Sequence, residues 1–287
     1  MSDAVQDIVR DWRLPVWLTL AIALPGAVYL RGWLAIRHTR PRQFTALRLA
    51  SFQSGLFVLW LSIASPMDGF ADALLSAHMV EHLLLMSVVP PLLLFGWPTV
   101  PMLRGLTWRR RRRHPQQGNL ISPLIRSPLL RRILHWLVTP AVAWLAMNLT
   151  FLAWHIPTAY DFALEHEGWH AVEHLCFLGT SILFWWCIIL PWPTKARPLN
   201  WSIVLYLISA DIVNTLLSAF LTFIDHPVYR YYVDHPGPFH TSPLEDQSLG
   251  AVIMWVVGSI FFLVPGVLLS VHLLQPQNRS IEDADWS

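Results

Sequence analysis

Seven apolar blocks of roughly 17 to 25 residues divide this chain, at about 14–30, 47–65, 74–95, 134–154, 171–190, 203–220 and 249–273. Each is long enough to cross a hydrocarbon layer as a helix. Lipid offers no water to backbone N–H and C=O groups, and a helix satisfies them within its own segment. The expected fold class is therefore all-α, a polytopic membrane protein with seven transmembrane helices in a single domain over residues 1–287. A soluble globular domain does not fit a chain that is 54% hydrophobic with its apolar residues gathered in such blocks.

The links between the blocks alternate in charge. All but Arg10, Arg13 and Arg230 of the 20 basic residues fall in the links after the first, third and fifth blocks or in the tail, including the run of arginines at 109–113. The other links hold Asp68 and Asp72, then Asp161, Glu165 and Glu167, then Asp225, Asp234, Glu245 and Asp246. Positive charge in short links marks the cytoplasmic side, so the N-terminus is expected outside and the C-terminus in the cytoplasm. On this reading residues 98–133 form a basic cytoplasmic loop and 222–248 an outer loop. Anionic lipid and topology account for the arginine run, and nucleic acid is not an expected partner. The first block is preceded by Asp3, Asp7 and Asp11 and followed by Arg31 and Arg37, the wrong order of charge for a cleaved leader, so it is expected to stay as a helix.

Two copies of one pattern open membrane blocks: His78-Met79-Val80-Glu81-His82 and His170-Ala171-Val172-Glu173-His174. Residues three and four apart share a helix face. Each copy therefore presents two imidazoles and a carboxylate together near the mouth of a span. Nine of the 13 histidines, His78, His82, His155, His166, His170, His174, His226, His235 and His240, belong to the outer side on this topology. The two histidines of each copy lie about 6 Å apart along the helix axis, so two such helices packed together would surround one metal ion or a close pair. His78, His82, His170, His174 and, at the same level, His155 are the candidate ligands. Glu81 and Glu173 are expected to ligate, to orient imidazoles or to carry protons. The residues leave a metal or haem site, a proton network and a structural polar cluster open as readings. The same letters form an inverted zinc-peptidase motif, but two copies at the mouths of membrane spans do not suit a peptidase.

Asp211, with Asn214 one turn later, lies near the middle of the sixth block. An aspartate at that depth costs about 2.5–3.5 kcal/mol on insertion scales and is expected to face the bundle, as a hydrogen-bonding, proton-handling or ligating group. Pro90-Pro91 predicts a kink or break in the third span, because proline removes a donor and crowds the preceding turn. Cys176 and Cys187 lie about 16 Å apart along one helix, beyond disulfide reach. The link at 222–248 is long enough for a cap with a short helix near 228–233.

Three stretches resemble the CtaG-type (caa3) cytochrome c oxidase assembly factors. One runs from His78-Met79-Val80-Glu81-His82 through Pro90-Pro91 to Gly96-Trp97-Pro98. The second joins Trp154-His155-Ile156-Pro157 and Tyr160-Asp161 to His170-Ala171-Val172-Glu173-His174 and Phe184-Trp185-Trp186. The third holds Leu221-Thr222-Phe223, Tyr229-Arg230-Tyr231-Tyr232 and Asp246-Gln247-Ser248-Leu249-Gly250. The resemblance implies a multi-pass protein of a bacterial plasma (inner) membrane, required to assemble a haem–copper oxidase and acting as a copper metallochaperone without catalytic turnover. It implies an oxidase subunit as partner, with an upstream copper carrier and membrane lipids beside it, and an outer-facing site at His78, Glu81, His82, His155, His170, Glu173 and His174. The chain has no CxxxC pair, and imidazoles take zinc, iron and haem as well as copper. Two other functions suit the same residues: a membrane redox protein with a haem or di-iron centre, and a proton-coupled transporter using Asp211 and the glutamates.

Overall fold

The computed structural model describes residues 3–113, 127–191, 194, 200–237 and 241–275. Among them the chain is helical throughout, with no strand. Six helices are long and apolar enough to cross a membrane, or seven if one bent pair counts as a single span. After a short α1 (Asp3–Asp11) come α2 (Val16–Ile36) and α3 (Ala46–Ala64), then the eight-residue α4 (Pro66–Ala73). The third span is built from α5 (Leu75–Leu83), a π-helical turn (Leu84–Val88) and α6 (Val89–Phe95). Beyond it lie α7 (Thr99–Arg113), α8 (Pro128–Leu137), α9 (Pro140–Trp154), α10 (Pro157–Leu164) and α11 (Glu167–Ile189). The chain ends through α12 (Trp201–Phe223), a single turn α13 (Tyr231–Asp234) and the 32-residue α14 (Pro243–Leu274).

One expectation is corrected here. The fourth span, read as one helix over 134–154, is broken: α8 and α9 meet at a 66° bend, because Pro140 occupies the first turn of α9 and cannot continue α8 through Thr139. The stretch read as a basic loop over 98–133 opens as α7, which packs along α2; residues 114–126 lie outside the described set. That packing is backbone on backbone. A Cβ on Gly32 would fall 1.8 Å from the Pro101 carbonyl oxygen and one on Gly105 2.0 Å from that of Val28, so only glycine fits at either place.

The span formed by α5 and α6 is the most buried, packed by α3, α11 and α14. Pro90 and Pro91 do not end it; the helix runs on to Phe95, and the adjustment appears just upstream as the π turn. Pro90 cannot donate to the Met86 carbonyl, and the indole Nε1–H of Trp185 on α11 donates to it instead, at 2.9 Å. At the other end of α6, the Tyr29 hydroxyl donates to the Gly96 carbonyl at 2.6 Å and Arg48 to that of Phe95 at 2.9 Å, with the guanidinium over the Trp97 ring. These bonds fix α6 against α2 and α3 and set the depth of α5.

Candidate metal centre

The N-terminus of α5 is held by a side chain from the far end of the sequence. Asp246, in the first turns of α14, accepts from the backbone N–H of Leu75 at 2.6 Å and of Ser76 at 3.3 Å, satisfying donors that the helix itself leaves free. Its neighbour Gln247, 1% exposed, donates to the Leu221 carbonyl and accepts from Val228 N–H. α14 starts at the capping box Ser242–Glu245, six residues before the block expected at 249. That early start is what brings Asp246 and Gln247 to the mouth of α5 and the link between α12 and α14.

Both patterned helices point their imidazoles into one buried volume. His78, Glu81 and Glu173 are fully buried, His82 is 3% and His174 8% exposed, and His170 is half-buried. His78 Nε2 and His82 Nε2 are 2.7 Å apart. The His78 ring centroid lies 5.1 Å from that of His170 and 6.1 Å from that of His174, and His82 lies 5.7 Å from His174. The carboxylates cross over: Glu173 Oε1 is 3.5 Å from His82 Nε2, and Glu81 Oε1 is 3.7 Å from His174 Nε2. Two sets of ligand atoms fall within 4.8 Å of one another, His78 with His82 and His174, and His78 with His170 and Glu173.

Buried polar atoms are normally hydrogen-bonded. Both carboxylate oxygens of Glu81 and Glu173, Nδ1 of His82 and Nε2 of His155, His170 and His174 are buried here with no such bond. Each unsatisfied group costs about 1–3 kcal/mol, more if charged. A cation at the centre of the cluster would relieve many of them at once, and imidazole with carboxylate oxygen is a donor set that holds Cu, Zn or Fe. The residues present therefore fit a metal ion.

The aromatic cap fixes a tautomer. Burial pushes the Tyr232 hydroxyl well above its ordinary pKa, and the protonated group donates to the Ala71 carbonyl at 2.9 Å while lying 3.3 Å from His78 Nδ1. With its proton committed to Ala71, the oxygen accepts from His78 Nδ1–H, which leaves His78 Nε2 as the lone-pair nitrogen facing the cluster. His155 is arranged alike: Nδ1 donates to the Phe151 carbonyl at 2.7 Å, leaving Nε2 bare, with its ring 6.1 Å from that of His82. It falls in neither of the two close ligand sets. Tyr232, Tyr160, Asp246 and Gln247 shape the site although the histidine pattern does not point to them; the buried tyrosines could have been suspected only from their place opposite the pattern in the topology.

The structure does not bring every candidate together. Asn214 donates to the Met254 carbonyl at 3.2 Å, and Oδ1 of the half-buried Asp211 has no partner. Neither belongs to the close ligand sets. His166, His226 and His235 are exposed, bonded to Phe162, Asp225 and Tyr231, while His240 lies outside the described residues. The turn expected near 228–233 forms at Tyr231–Asp234, anchored by Asp161, which accepts from the N–H groups of Arg230 and Tyr231.

No solved structure matches this chain. Proteins of Mycobacterium bovis and Mycobacterium tuberculosis, both described as uncharacterised, are each 26% identical over 250 residues, 86% of this chain and 37% of theirs. An uncharacterised Mycobacterium leprae protein is 22% identical over 276 residues, 93% of this chain and 40% of that protein. The chain thus spans about two-fifths of the length of these relatives. The model of the cytochrome c oxidase caa3 assembly factors matches residues 27–275, which include every residue of the cluster, and the chain belongs to that family.

Proposed function

We propose that this assembly factor holds copper between its two His-x-x-Glu-His helices and passes it to a subunit of a haem–copper oxidase. The observation that carries the reading is the crosswise arrangement, in which each glutamate faces the second histidine of the other helix. A structural polar cluster would pair each group with a neutral partner; here the carboxylate oxygens and one ring nitrogen each of His82, His155, His170 and His174 have no hydrogen bond. His78, His82, His170 and His174 would hold the ion, with Glu173 and Glu81 balancing its charge and taking protons as it arrives or leaves. His155 Nε2 stands at the edge of the cluster as an exchange ligand. The charge pattern of the links supports an orientation with the N-terminus and the cluster on the outer side of a bacterial plasma membrane.

The route in is acidic. Asp68, half-buried on α4, has its carboxyl pushed up to about 7 by burial and by the charges of Asp72 and Glu167. A cation would relieve that repulsion as it passes. The reading is tested in cells whose own factor is deleted. The native chain is expected to restore oxidase activity and oxidase copper content, and His82→Ala combined with His174→Ala to restore neither at equal membrane abundance. Full restoration by the double variant would refute a copper-holding role.

A further inference from the structure

Four of the seven methionines, Met79, Met86, Met147 and Met254, line one cavity directly beneath the histidine cluster, and His82 forms part of its wall. They come from three spans, α5 with its π turn, α9 and α14. The cavity has room for about 30 Å³, enough for an ion or a water and far below the volume of a drug-sized ligand. Thioethers are soft donors that suit Cu(I) and disfavour hard cations such as Mg and Ca.

His82 supplies the independent sign of a ligand. It is 3% exposed, its Nε2 faces His78 and Glu173, and its Nδ1 is buried without a hydrogen bond. The hydrogen-bond chain fixes its proton. Tyr232 donates to Ala71 and accepts from His78 Nδ1–H, so His78 Nε2 accepts from His82 Nε2–H. Nδ1 of His82 then carries a lone pair, and it is the ring nitrogen left to serve the cavity that His82 lines. Asn214, whose carboxamide is bonded to the Met254 carbonyl, fixes the wall opposite.

We propose that this cavity is a second, thioether-lined Cu(I) site, one step deeper than the histidine cluster, with His82 serving as the ligand shared between them. When an ion sits in the upper cluster, His82 binds through Nε2 and its proton moves to Nδ1. When the ion descends, the proton returns to Nε2 and Nδ1 faces it. His82 therefore serves one station at a time, and the two are occupied in alternation. This deepens the copper reading and rests on it.

X-ray absorption of the detergent-solubilised full chain, loaded with one equivalent of Cu(I), distinguishes the two claims. The native protein is expected to show nitrogen and sulfur scatterers together. His78→Ala with His174→Ala, which leaves His82 in place, should keep the sulfur shell. Replacing Met79, Met86, Met147 and Met254 together by leucine, swaps that conserve volume, should lose it and keep nitrogen. A native spectrum with nitrogen or oxygen alone overturns the deeper site and leaves the copper reading standing. A sulfur shell that survives replacement of all four cavity methionines, and so belongs to sulfur elsewhere in the chain, overturns it too, as does its loss in the histidine variant. A native protein that binds no Cu(I) overturns both claims.

Discussion

Tyr232 shows how one hydroxyl decides what an imidazole can do. Its bond to the Ala71 carbonyl makes it an acceptor toward His78 Nδ1–H and leaves Nε2 bare for a metal. Partners of this kind change metal affinity by about 10–100-fold when removed. Tyr232→Phe is expected to weaken copper binding within that range in equilibrium competition with a chelator; unchanged affinity would mean that the tautomer is set elsewhere. Asp68 gives a pH-dependent counterpart. The folded chain holds its proton up to about pH 7, whereas an unfolded aspartate loses it near pH 3.9. Its contribution to stability is complete below the unfolded value and is lost as pH rises through the folded one. The melting temperature of the purified protein should therefore fall less between pH 4.5 and 8 in Asp68→Asn than in the native chain, and parallel curves would contradict this. The histidines and glutamates of the cluster were legible in the sequence because helical spacing alone puts them on one face. Tyr232 and Asp246 were not, since each acts on a helix more than 150 positions away in the chain.

At the scale of elements, the third span shows how local and distant effects combine. Pro90-Pro91 announces a disturbance, but its form depends on a neighbour: the Met86 carbonyl left without a helix donor finds the indole of Trp185. The helix consequently continues past the prolines rather than ending there. Trp185→Phe keeps the ring and removes the N–H, leaving that carbonyl unsatisfied at a cost of about 1–3 kcal/mol. A lower thermal midpoint is expected, with copper binding retained in the fraction that stays folded; an unchanged midpoint would show that the π turn needs no such bond. The bend at Thr139 and the early start of α14 were both written in local signals, Pro140 and the Ser242–Glu245 capping box. Apolar block length concealed them, because hydropathy reports where lipid can lie and not where a helix begins.

At the scale of the molecule, the bundle brings together two copies of a short pattern that lie 92 positions apart in the chain. Block lengths were enough to read an all-helical membrane chain, with seven spans where six helices, or seven with the bent pair taken as one, are long and apolar enough. The facing of the two copies required packing: α5 and α6 at the centre, α11 on one side and α14 on another. The crossed carboxylates and unpartnered imidazoles that result are costly in an apolar bundle, and removing one member of a buried charged pair commonly costs about 3–5 kcal/mol. A bound cation is the economical account of why so many such groups are gathered there. The direct measurement is the copper content of the detergent-purified protein from copper-replete cells, set beside that of His82→Ala with His174→Ala eluting at the same size. The account predicts near-stoichiometric copper in the native protein and loss of most of it in the variant. Copper at background in the native protein, or the same amount in both, would contradict it.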